Sequence, residues 1–230
     1  MSAGNRQIQA REWLLSQEAA SQPRVKLCGM FREADVQAVA EAQPDLCGFI
    51  VDFPKSHRSV TPAQLAGLCD RLLECEPAGV PIWRVGVFVD EPMERLVAIV
   101  ESGAIDLVQL HGNEDAAYVD RLRNRTGVGI VQAFRIRGAA DVAAAGESAA
   151  ALILLDNGQG TGEGFDWGLV SSVRRPFMLA GGLGPENVAR AIEEVWPWGV
   201  DMSSGVESGR LKDPAKMVAA VAAARKAVRP

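Results

Sequence analysis

The chain has 230 residues, of which 48% are hydrophobic and 23% are charged, a balance typical of a globular protein with one large core. Its net charge is −5 and its acidic and basic residues are interspersed without a basic run, which argues against nucleic acid and anionic membranes as partners. It contains no apolar run of about 18 residues, and residues 1–23 lack the apolar core of a signal peptide.

The cysteines and histidines are spread along the chain and do not form a metal-binding pattern. They are Cys28, Cys47, Cys69, Cys75, His57 and His111. No two cysteines form a CxxC pair, and two histidines do not complete a zinc pattern, so we expect no zinc site. We therefore predict free thiols and a reducing, cytoplasmic location.

Residues 1–23 have a composition compatible with a helix that stops at Pro23. Their large apolar residues are Ile8, Trp13, Leu14 and Leu15. We interpret this segment as an N-terminal extension, either a helix or loose arm packed on the body of the protein or an arm that contacts a partner. The remaining residues, 24–230, then form one catalytic domain.

From residue 25 onward, eight short apolar runs alternate with eight helix-like runs. The apolar runs are 25–28, 46–51, 83–89, 107–110, 129–134, 151–155, 177–180 and 199–202. The helix-like runs are 33–42, 62–74, 92–102, 115–123, 139–145, 166–171, 185–195 and 213–228. Strict alternation predicts a parallel sheet with right-handed crossovers, and eight units predict a closed (β/α)8 TIM barrel rather than an open sheet.

The last two strand–helix units carry glycine-rich turns within the segment MLAGGLGPENVARAIEEVWPWGVDMSSG. The turn residues are Gly181, Gly182, Ser203, Ser204 and Gly205. Glycine permits positive φ angles and a close approach of backbone N–H groups to an anion. In a (β/α)8 barrel, phosphate sites commonly follow strands 7 and 8, so we predict a phosphate-binding site here.

The period of two in a strand predicts which side chains point into the barrel. In the first strand, VKLC, the apolar Val25 and Leu27 should face the helices, which turns Lys26 and Cys28 inward. The same alternation turns inward Gln109, His111, Leu154, Asp156, Asp201 and Ser203. Polar groups at the carboxyl ends of strands face the mouth, where barrel enzymes keep their chemistry.

Cys28 and Asp156 are the candidate catalytic residues, because each ends an inward-pointing strand. A buried cysteine is often a packing residue, and a carboxylate at a strand end is often a turn former. As a functional alternative, a thiolate stabilised by a cation can serve as base or nucleophile, and a partly desolvated carboxyl can serve as general acid. Lys26 lies close to Cys28 in sequence, although we expect it to pair with Asp201.

Three further features have both a structural and a functional interpretation. Arg58, in PKSHRSV, is either a solvated cation or a bidentate partner for a carboxylate. His111, in VQLHG, is either a core histidine or a ligand contact. The loop after Asp156 is either a mobile lid or a flexible connection. Its glycines are Gly158, Gly160, Gly162 and Gly164.

Seven segments in register resemble phosphoribosylanthranilate isomerase of tryptophan biosynthesis. They are VKLCGM, GFIVDFPKSHRSVTP, RVGVFVDEP, VQLHGNED, LLDNGQGTGEGFDW, LAGGLGPENV and GVDMSSGVESGRLKD. They span residues 25 to 217 or thereabouts, in the order and spacing of that family. The resemblance implies a (β/α)8 barrel that converts N-(5-phosphoribosyl)anthranilate to 1-(2-carboxyphenylamino)-1-deoxyribulose 5-phosphate. The implied reaction is an Amadori rearrangement that uses neither metal nor organic cofactor.

The resemblance also implies roles for individual residues. Cys28 becomes the general base, Asp156 the general acid and Arg58 the partner of the anthranilate carboxylate. The GG and SSG turns become the phosphate site. Independently of the resemblance, we count His111 and Asp201 among the candidate substrate contacts. The sequence departs from the family's pattern in the GQGTGEG loop, in SHR before Ser59 and in residues 1–23, which have no counterpart. We expect a small phosphosugar substrate as partner, and a monomer or homodimer.

Two other classes of function remain open from the sequence. One is a related phosphosugar barrel enzyme, such as indole-glycerol-phosphate synthase, the histidine-pathway ProFAR isomerase or a dual-substrate isomerase. The synthase requires lysine and glutamate near the mouth, and the ProFAR isomerase pairs two carboxylates, whereas the first strand here offers Cys28. The other is a non-catalytic barrel that retains only its phosphate site, which the presence of both Cys28 and Asp156 argues against.

Overall fold

The computed structural model describes residues 3–16, 22–156 and 167–228, and eight parallel strands form its centre. These strands are β1 Arg24–Cys28, β2 Leu46–Val51, β3 Trp83–Phe88, β4 Leu107–Leu110, β5 Gly129–Arg135, β6 Leu152–Asp156, β7 Phe177–Ala180 and β8 Gly199–Met202. Each strand pairs with the next, and β1 also pairs with β8, so the sheet closes. The predicted (β/α)8 barrel is confirmed.

Within the described residues, an α-helix follows every barrel strand except β6. The α-helices of the described residues are α1 Ala3–Leu15, α2 Glu33–Ala42, α3 Pro62–Cys75, α4 Met93–Glu101, α5 Ala116–Thr126, α6 Ala139–Gly146, α7 Val188–Val195 and α8 Pro214–Lys226. After β6, where the sequence predicts a helix at 166–171, the described part of the chain contains a short 3-10 helix, Trp167–Ser172. Gly168 lies within it, and glycine is a poor helix former.

Short strands add to the barrel at its carboxyl end. Ser59–Val60 pairs in parallel with β2. Glu207–Ser208 and Leu211–Lys212 form an antiparallel pair just after β8, in which Glu207 stands opposite Lys212. These small elements are not predicted by the alternation of longer runs, and they place charged side chains at the mouth of the barrel.

Buried apolar side chains fill both sides of the strands. The outer layer, between strands and helices, includes Val36, Leu65, Leu96, Leu122 and Ile192. The barrel interior includes Leu46, Val85, Leu107, Leu152 and Met178. Because the interior is packed with side chains, a ligand can reach only the ends of the barrel.

The helix α1 lies across the amino-terminal end of the barrel. Its Ala10 and Leu14 are fully buried and belong to the interior cluster. The ring of Trp13 lies 6.0 Å from that of Trp83 and 5.2 Å from that of Trp198, measured between centroids. Since Trp83 begins β3 and Trp198 directly precedes β8, α1 closes the end opposite to the strand carboxyl termini. No helix of the described residues is long and apolar enough to span a membrane.

Candidate active site

A cavity of about 230 Å³ opens at the carboxyl ends of the barrel strands. The strand ends contribute its polar wall: Cys28, Gln109, His111, Asp156 and Asp201. Because parallel strands all point the same way around a barrel, side chains that are far apart in sequence meet at this one end. The structure therefore brings together both predicted catalytic residues and two of the predicted substrate contacts.

The two glycine-rich turns form a second wall of the same cavity. Gly181 and Gly182 line it with φ angles of 99° and 65°, a region that side chains rarely adopt. Ser203 and Ser204 line it from the turn after β8. A turn of this kind exposes backbone N–H groups, and such groups suit an anionic ligand.

Gly205 has a different role from the one that its place in the motif suggests. It does not contribute to the described wall of the cavity, but a Cβ atom on Gly205 would lie 2.0 Å from the carbonyl oxygen of Leu183. A side chain at this position would therefore force the two turns apart. Gly205 lets the turns touch, and so it fixes their separation.

Asn187 shapes the first turn and was missed by the sequence analysis. Its side-chain oxygen accepts a hydrogen bond from the Gly184 N–H at 2.9 Å, and its amide donates to the Gly182 carbonyl at 3.0 Å. These bonds hold residues 185–187 in a turn, and α7 consequently begins at Val188 rather than at the predicted position 185. Asparagine often bonds nearby backbone in this way, a signal present in GLGPEN.

A buried cation lies beside the candidate base Cys28. The Lys26 ammonium, 1% exposed, donates to Asp201 Oδ2 at 2.8 Å, which confirms the expected pair. A Cβ atom on Gly48 would lie 2.7 Å from Cys28 Sγ and 3.0 Å from Lys26 Nζ, so both groups occupy the space that this glycine leaves open. Asp201 Oδ1 is buried and has no hydrogen-bond partner among the described residues.

The pKa values of this pair follow from burial and mutual charge. Burial raises the pKa of the Cys28 thiol above its usual value, and the ammonium of Lys26 opposes that rise. Burial alone would lower the pKa of Lys26, but the carboxylate of Asp201 and the thiol of Cys28 raise it above its usual value. Lys26 therefore stays charged, and it favours the thiolate form of its neighbour.

The candidate acid Asp156 faces an imidazole. His111 Nε2 lies 3.6 Å from Asp156 Oδ2, and His111 Nδ1 lies 3.0 Å from the amide nitrogen of Gln109. With that amide donating to Nδ1, a neutral ring carries its proton on Nε2, directed at the carboxyl group. His111 is not a core histidine: it lines the cavity, where it faces the carboxyl of Asp156, and its contact with a ligand stays a prediction.

Arg58 lies at the rim and not in the described wall of the cavity. Its stem crosses Gly29, where a Cβ atom would lie 2.6 Å from Arg58 Cδ. Its guanidinium group binds both carboxylate oxygens of Glu207, at 2.5 and 2.8 Å. The sequence analysis missed Glu207, because nothing local links it to a residue 149 positions away.

The predicted lid after Asp156 does not fall within the described part of the chain. Residues 157–166, with all four glycines of the predicted lid, lie outside the described residues. Within the described ranges, no group of three or more His, Cys, Asp or Glu side chains could hold a metal ion. The chemistry that the cavity wall does offer is proton transfer by a thiol, a carboxyl and an imidazole, next to an anion site.

A closed barrel with these groups at the carboxyl ends of its strands defines the class of (β/α)8-barrel enzymes that act on anionic substrates. Comparisons with known proteins narrow the class. The profile of the N-(5'phosphoribosyl)anthranilate (PRA) isomerase family matches residues 25–223. The chain belongs to this family.

Individual relatives agree with the family match. The N-(5'-phosphoribosyl)anthranilate isomerase of Cereibacter sphaeroides is 40% identical over 215 residues, covering 88% of this chain and 98% of the relative. A structure of monomers generated from the dimeric enzyme of Thermotoga maritima is 33% identical with a TM-score of 0.76, covering 88% of this chain and 98% of that one.

A further phosphoribosyl anthranilate isomerase was solved in complex with reduced 1-(o-carboxyphenylamino)-1-deoxyribulose 5-phosphate. It is 32% identical with a TM-score of 0.74 and covers 88% of this chain and 98% of its own. The family and the isomerase activity predicted from the sequence are thereby confirmed. These comparisons favour an isomerase of tryptophan biosynthesis over the related phosphosugar barrel enzymes and over a non-catalytic barrel.

Proposed function

We propose that the chain converts N-(5-phosphoribosyl)anthranilate to 1-(2-carboxyphenylamino)-1-deoxyribulose 5-phosphate with Asp156 as general acid and Cys28 as general base. The observation that carries this proposal is their common cavity. Both side chains end strands of the barrel and line one space with the two glycine-rich turns. A phosphate held by the turns leaves the sugar between a carboxyl group and a thiol.

The first step is opening of the ribose ring. The carboxyl proton of Asp156 moves to the ring oxygen as the C1–O bond breaks, and the lone pair of the anthranilate nitrogen forms the C1=N bond of a Schiff base. For this step Asp156 must carry a proton when the substrate arrives. The imidazole of His111, 3.6 Å away, faces the carboxyl group and is placed to return a proton to it.

The second step is removal of the proton on C2. The Cys28 thiolate takes this proton, the C2–H electrons form a C1=C2 bond, and the electrons of C1=N return to nitrogen. The resulting enolamine becomes the ketose when C1 gains a proton and the C2 hydroxyl loses one. Burial raises the pKa of Cys28, and the ammonium of Lys26 supports this step because it offsets part of that rise.

We also propose which groups bind the two ends of the substrate. Gly181, Gly182, Ser203 and Ser204 are proposed to hold the phosphate through backbone and hydroxyl donors. Arg58 is proposed to hold the anthranilate carboxylate. Asp201 Oδ1, buried in the cavity wall without a partner among the described residues, suits a sugar hydroxyl donor.

The proposal is tested by following the fluorescence of N-(5-phosphoribosyl)anthranilate in the presence of purified protein. We expect the wild type to accelerate its decay and Asp156→Asn to lower that rate at least about a hundredfold, since each proton-transfer role contributes about 10²–10⁴-fold. Folded Asp156→Asn that works at the wild-type rate would contradict the assignment. If the wild type were inactive, the ProFAR substrate would be tested next. If the protein did not isomerise that substrate either, the non-catalytic barrel that retains only its phosphate site would be favoured.

Three broader expectations accompany this mechanism as proposals. The division into an extension, 1–23, and a catalytic barrel, 24–230, is supported by a family match that begins at residue 25. We propose a monomer or homodimer, which sedimentation of the full chain distinguishes. We also propose a cytoplasmic location, which suits its four free cysteines.

A further inference from the structure

Glu207 holds the guanidinium group of Arg58 by one edge. Its two carboxylate oxygens accept hydrogen bonds from Arg58 Nε at 2.5 Å and Nη2 at 2.8 Å. The side chain of Glu207 is 7% exposed and that of Arg58 is 19% exposed. This is the bidentate arrangement in which an arginine makes its strongest contact with a carboxylate.

Glu207 is itself held in place by Lys212. Lys212, its partner in the antiparallel pair, has a buried ammonium group 2.7 Å from Glu207 Oε1. The same ammonium donates to the carbonyl oxygen of Ser203 at 2.9 Å. Burial alone would raise the pKa of Glu207, but hydrogen bonds from Arg58 and Lys212 lower it to about 2. Glu207 is therefore charged at neutral pH and tied to the phosphate turn.

The aliphatic part of the Arg58 side chain is held in place as well as its guanidinium group. It crosses Gly29, whose φ is +81° and whose missing Cβ atom leaves room for Arg58 Cδ. Gly29 directly follows Cys28, and Ser203 Oγ donates to the Cys28 carbonyl at 3.1 Å. The guanidinium group is thus held relative to both the candidate base and the phosphate turn.

This arrangement leaves one edge of the guanidinium group for another ligand. The Nε–Nη2 edge binds Glu207. Nη1 donates no hydrogen bond to a described residue, so Nη1 and the second N–H of Nη2 are left to form the Nη1–Nη2 edge. Because Lys212 anchors Glu207 and little of Glu207 is exposed, Glu207 does not readily leave its edge to an incoming anion. A substrate carboxylate must then bind the Nη1–Nη2 edge of a pre-oriented cation.

We propose that Glu207 is a positioning residue that determines specificity: it orients Arg58 so that the enzyme recognises the carboxylate of its aromatic amine substrate. The inference rests on the proposed function, in which Arg58 binds that carboxylate. Glu207 acts through Arg58 and does not itself touch the reacting atoms. Its contribution should consequently appear in binding of the carboxylate and be absent from binding of the phosphate.

The test compares two ligands on wild type and Glu207→Gln. One ligand is reduced 1-(o-carboxyphenylamino)-1-deoxyribulose 5-phosphate, and the other is the same compound prepared from aniline, which lacks the carboxylate. Calorimetry should show the variant binding the first at least about tenfold more weakly and the second within about twofold of wild type. Glu194→Gln, which removes the same charge from an exposed position on α7, should change neither.

A second measurement isolates the route through Arg58. In an Arg58→Met background, Glu207→Gln should weaken the carboxylated ligand no further, because the group that it orients is gone. The KM of Glu207→Gln should rise while kcat stays within about threefold of wild type. Retained binding of inorganic phosphate by each variant shows that the barrel is folded.

Several outcomes would overturn the inference. Equal weakening of both ligands would make Glu207 a structural residue, and unchanged binding of both would leave it without a role. Tighter binding of the carboxylated ligand by Glu207→Gln would mean that Glu207 competes with the substrate for Arg58. These binding results stand apart from catalysis: if wild type failed to turn over its substrate, the proposed reaction would be lost, while the binding comparison would still decide the role of Glu207.

Discussion

The two ends of this barrel differ in whether their buried polar groups have partners. At the amino end, α1 buries Leu14 and places Arg6 between Asp106, at 3.1 Å, and Glu76, at 2.7 Å. Asp106 also accepts hydrogen bonds from Arg84, so its carboxylate is fully engaged. At this end Ala10 and Leu14 are covered, and Arg6, Glu76, Arg84 and Asp106 are paired.

At the carboxyl end, polar groups are left open. The buried oxygens Asp201 Oδ1 and Gln109 Oε1 lack partners among the described residues, and both side chains line the cavity. An unpaired buried acceptor costs about 1–3 kcal/mol, a cost that a substrate hydroxyl or amine can remove. The contrast teaches that this fold pairs its polar groups at the amino end and leaves unsatisfied acceptors beside the candidate reactive groups at the carboxyl end.

The largest effect is expected from Cys28→Ala. Without the thiolate, the C2 proton has no base, and turnover should fall by about 10²–10⁴-fold. Steady-state turnover of the fluorescent substrate measures the loss, while thermal unfolding should remain close to that of wild type. Wild-type turnover by this variant would remove Cys28 from the mechanism.

The next largest effect is expected at the amino end. Leu14 is fully buried in the interior cluster, so Leu14→Ala should lower the free energy of unfolding by about 2–5 kcal/mol. Denaturant unfolding measures this change, and kcat should be unaffected. Leu15→Ala is the matched control, since Leu15 is 49% exposed and should change stability by less than about 0.5 kcal/mol. Loss of turnover in Leu14→Ala at temperatures where it is folded would couple the two ends.

A smaller effect is expected where the phosphate turns touch. In Gly205→Ala the new Cβ atom would meet the carbonyl oxygen of Leu183, so one turn must shift. We expect KM to rise by about tenfold, or about 1.4 kcal/mol, with a lesser change in kcat. Gly146→Ala offers a control, because a Cβ atom there meets nothing within 4 Å. An unchanged KM in Gly205→Ala would show that the spacing of the turns does not set phosphate binding.

The last prediction concerns acid stability at the mouth. The folded-state pKa of Glu207 is lowered from 4.5 to about 2, so its stabilising contribution is present above pH 4.5 and is lost as the pH falls towards 2. Unfolding free energy measured against pH in that window should have a shallower slope in Glu207→Gln, by up to about 1.4 kcal/mol per pH unit for one proton. Parallel curves for variant and wild type would contradict the assigned charge.

The sequence was sufficient for the barrel and for the polar ends of its strands, because both depend on local periodicity. Strand parity placed Cys28 and Asp156 at the mouth, and the glycine pairs indicated the anion turns. The features that the sequence could not predict depend on contacts between residues far apart in the chain. The pairing of Arg58 with Glu207 spans 149 positions, and the packing of α1 depends on Trp13 meeting Trp83 and Trp198 at the barrel's amino end.

The most direct test of the account is to modify the thiol of Cys28 in the wild-type protein and follow activity. A small thiol reagent is applied with and without reduced 1-(o-carboxyphenylamino)-1-deoxyribulose 5-phosphate, and modification at each cysteine is quantified by mass spectrometry. We predict that turnover of N-(5-phosphoribosyl)anthranilate falls in proportion to modification of Cys28. We also predict that the bound ligand slows both the modification of Cys28 and the loss of turnover. Full turnover by protein whose Cys28 is modified would contradict the account.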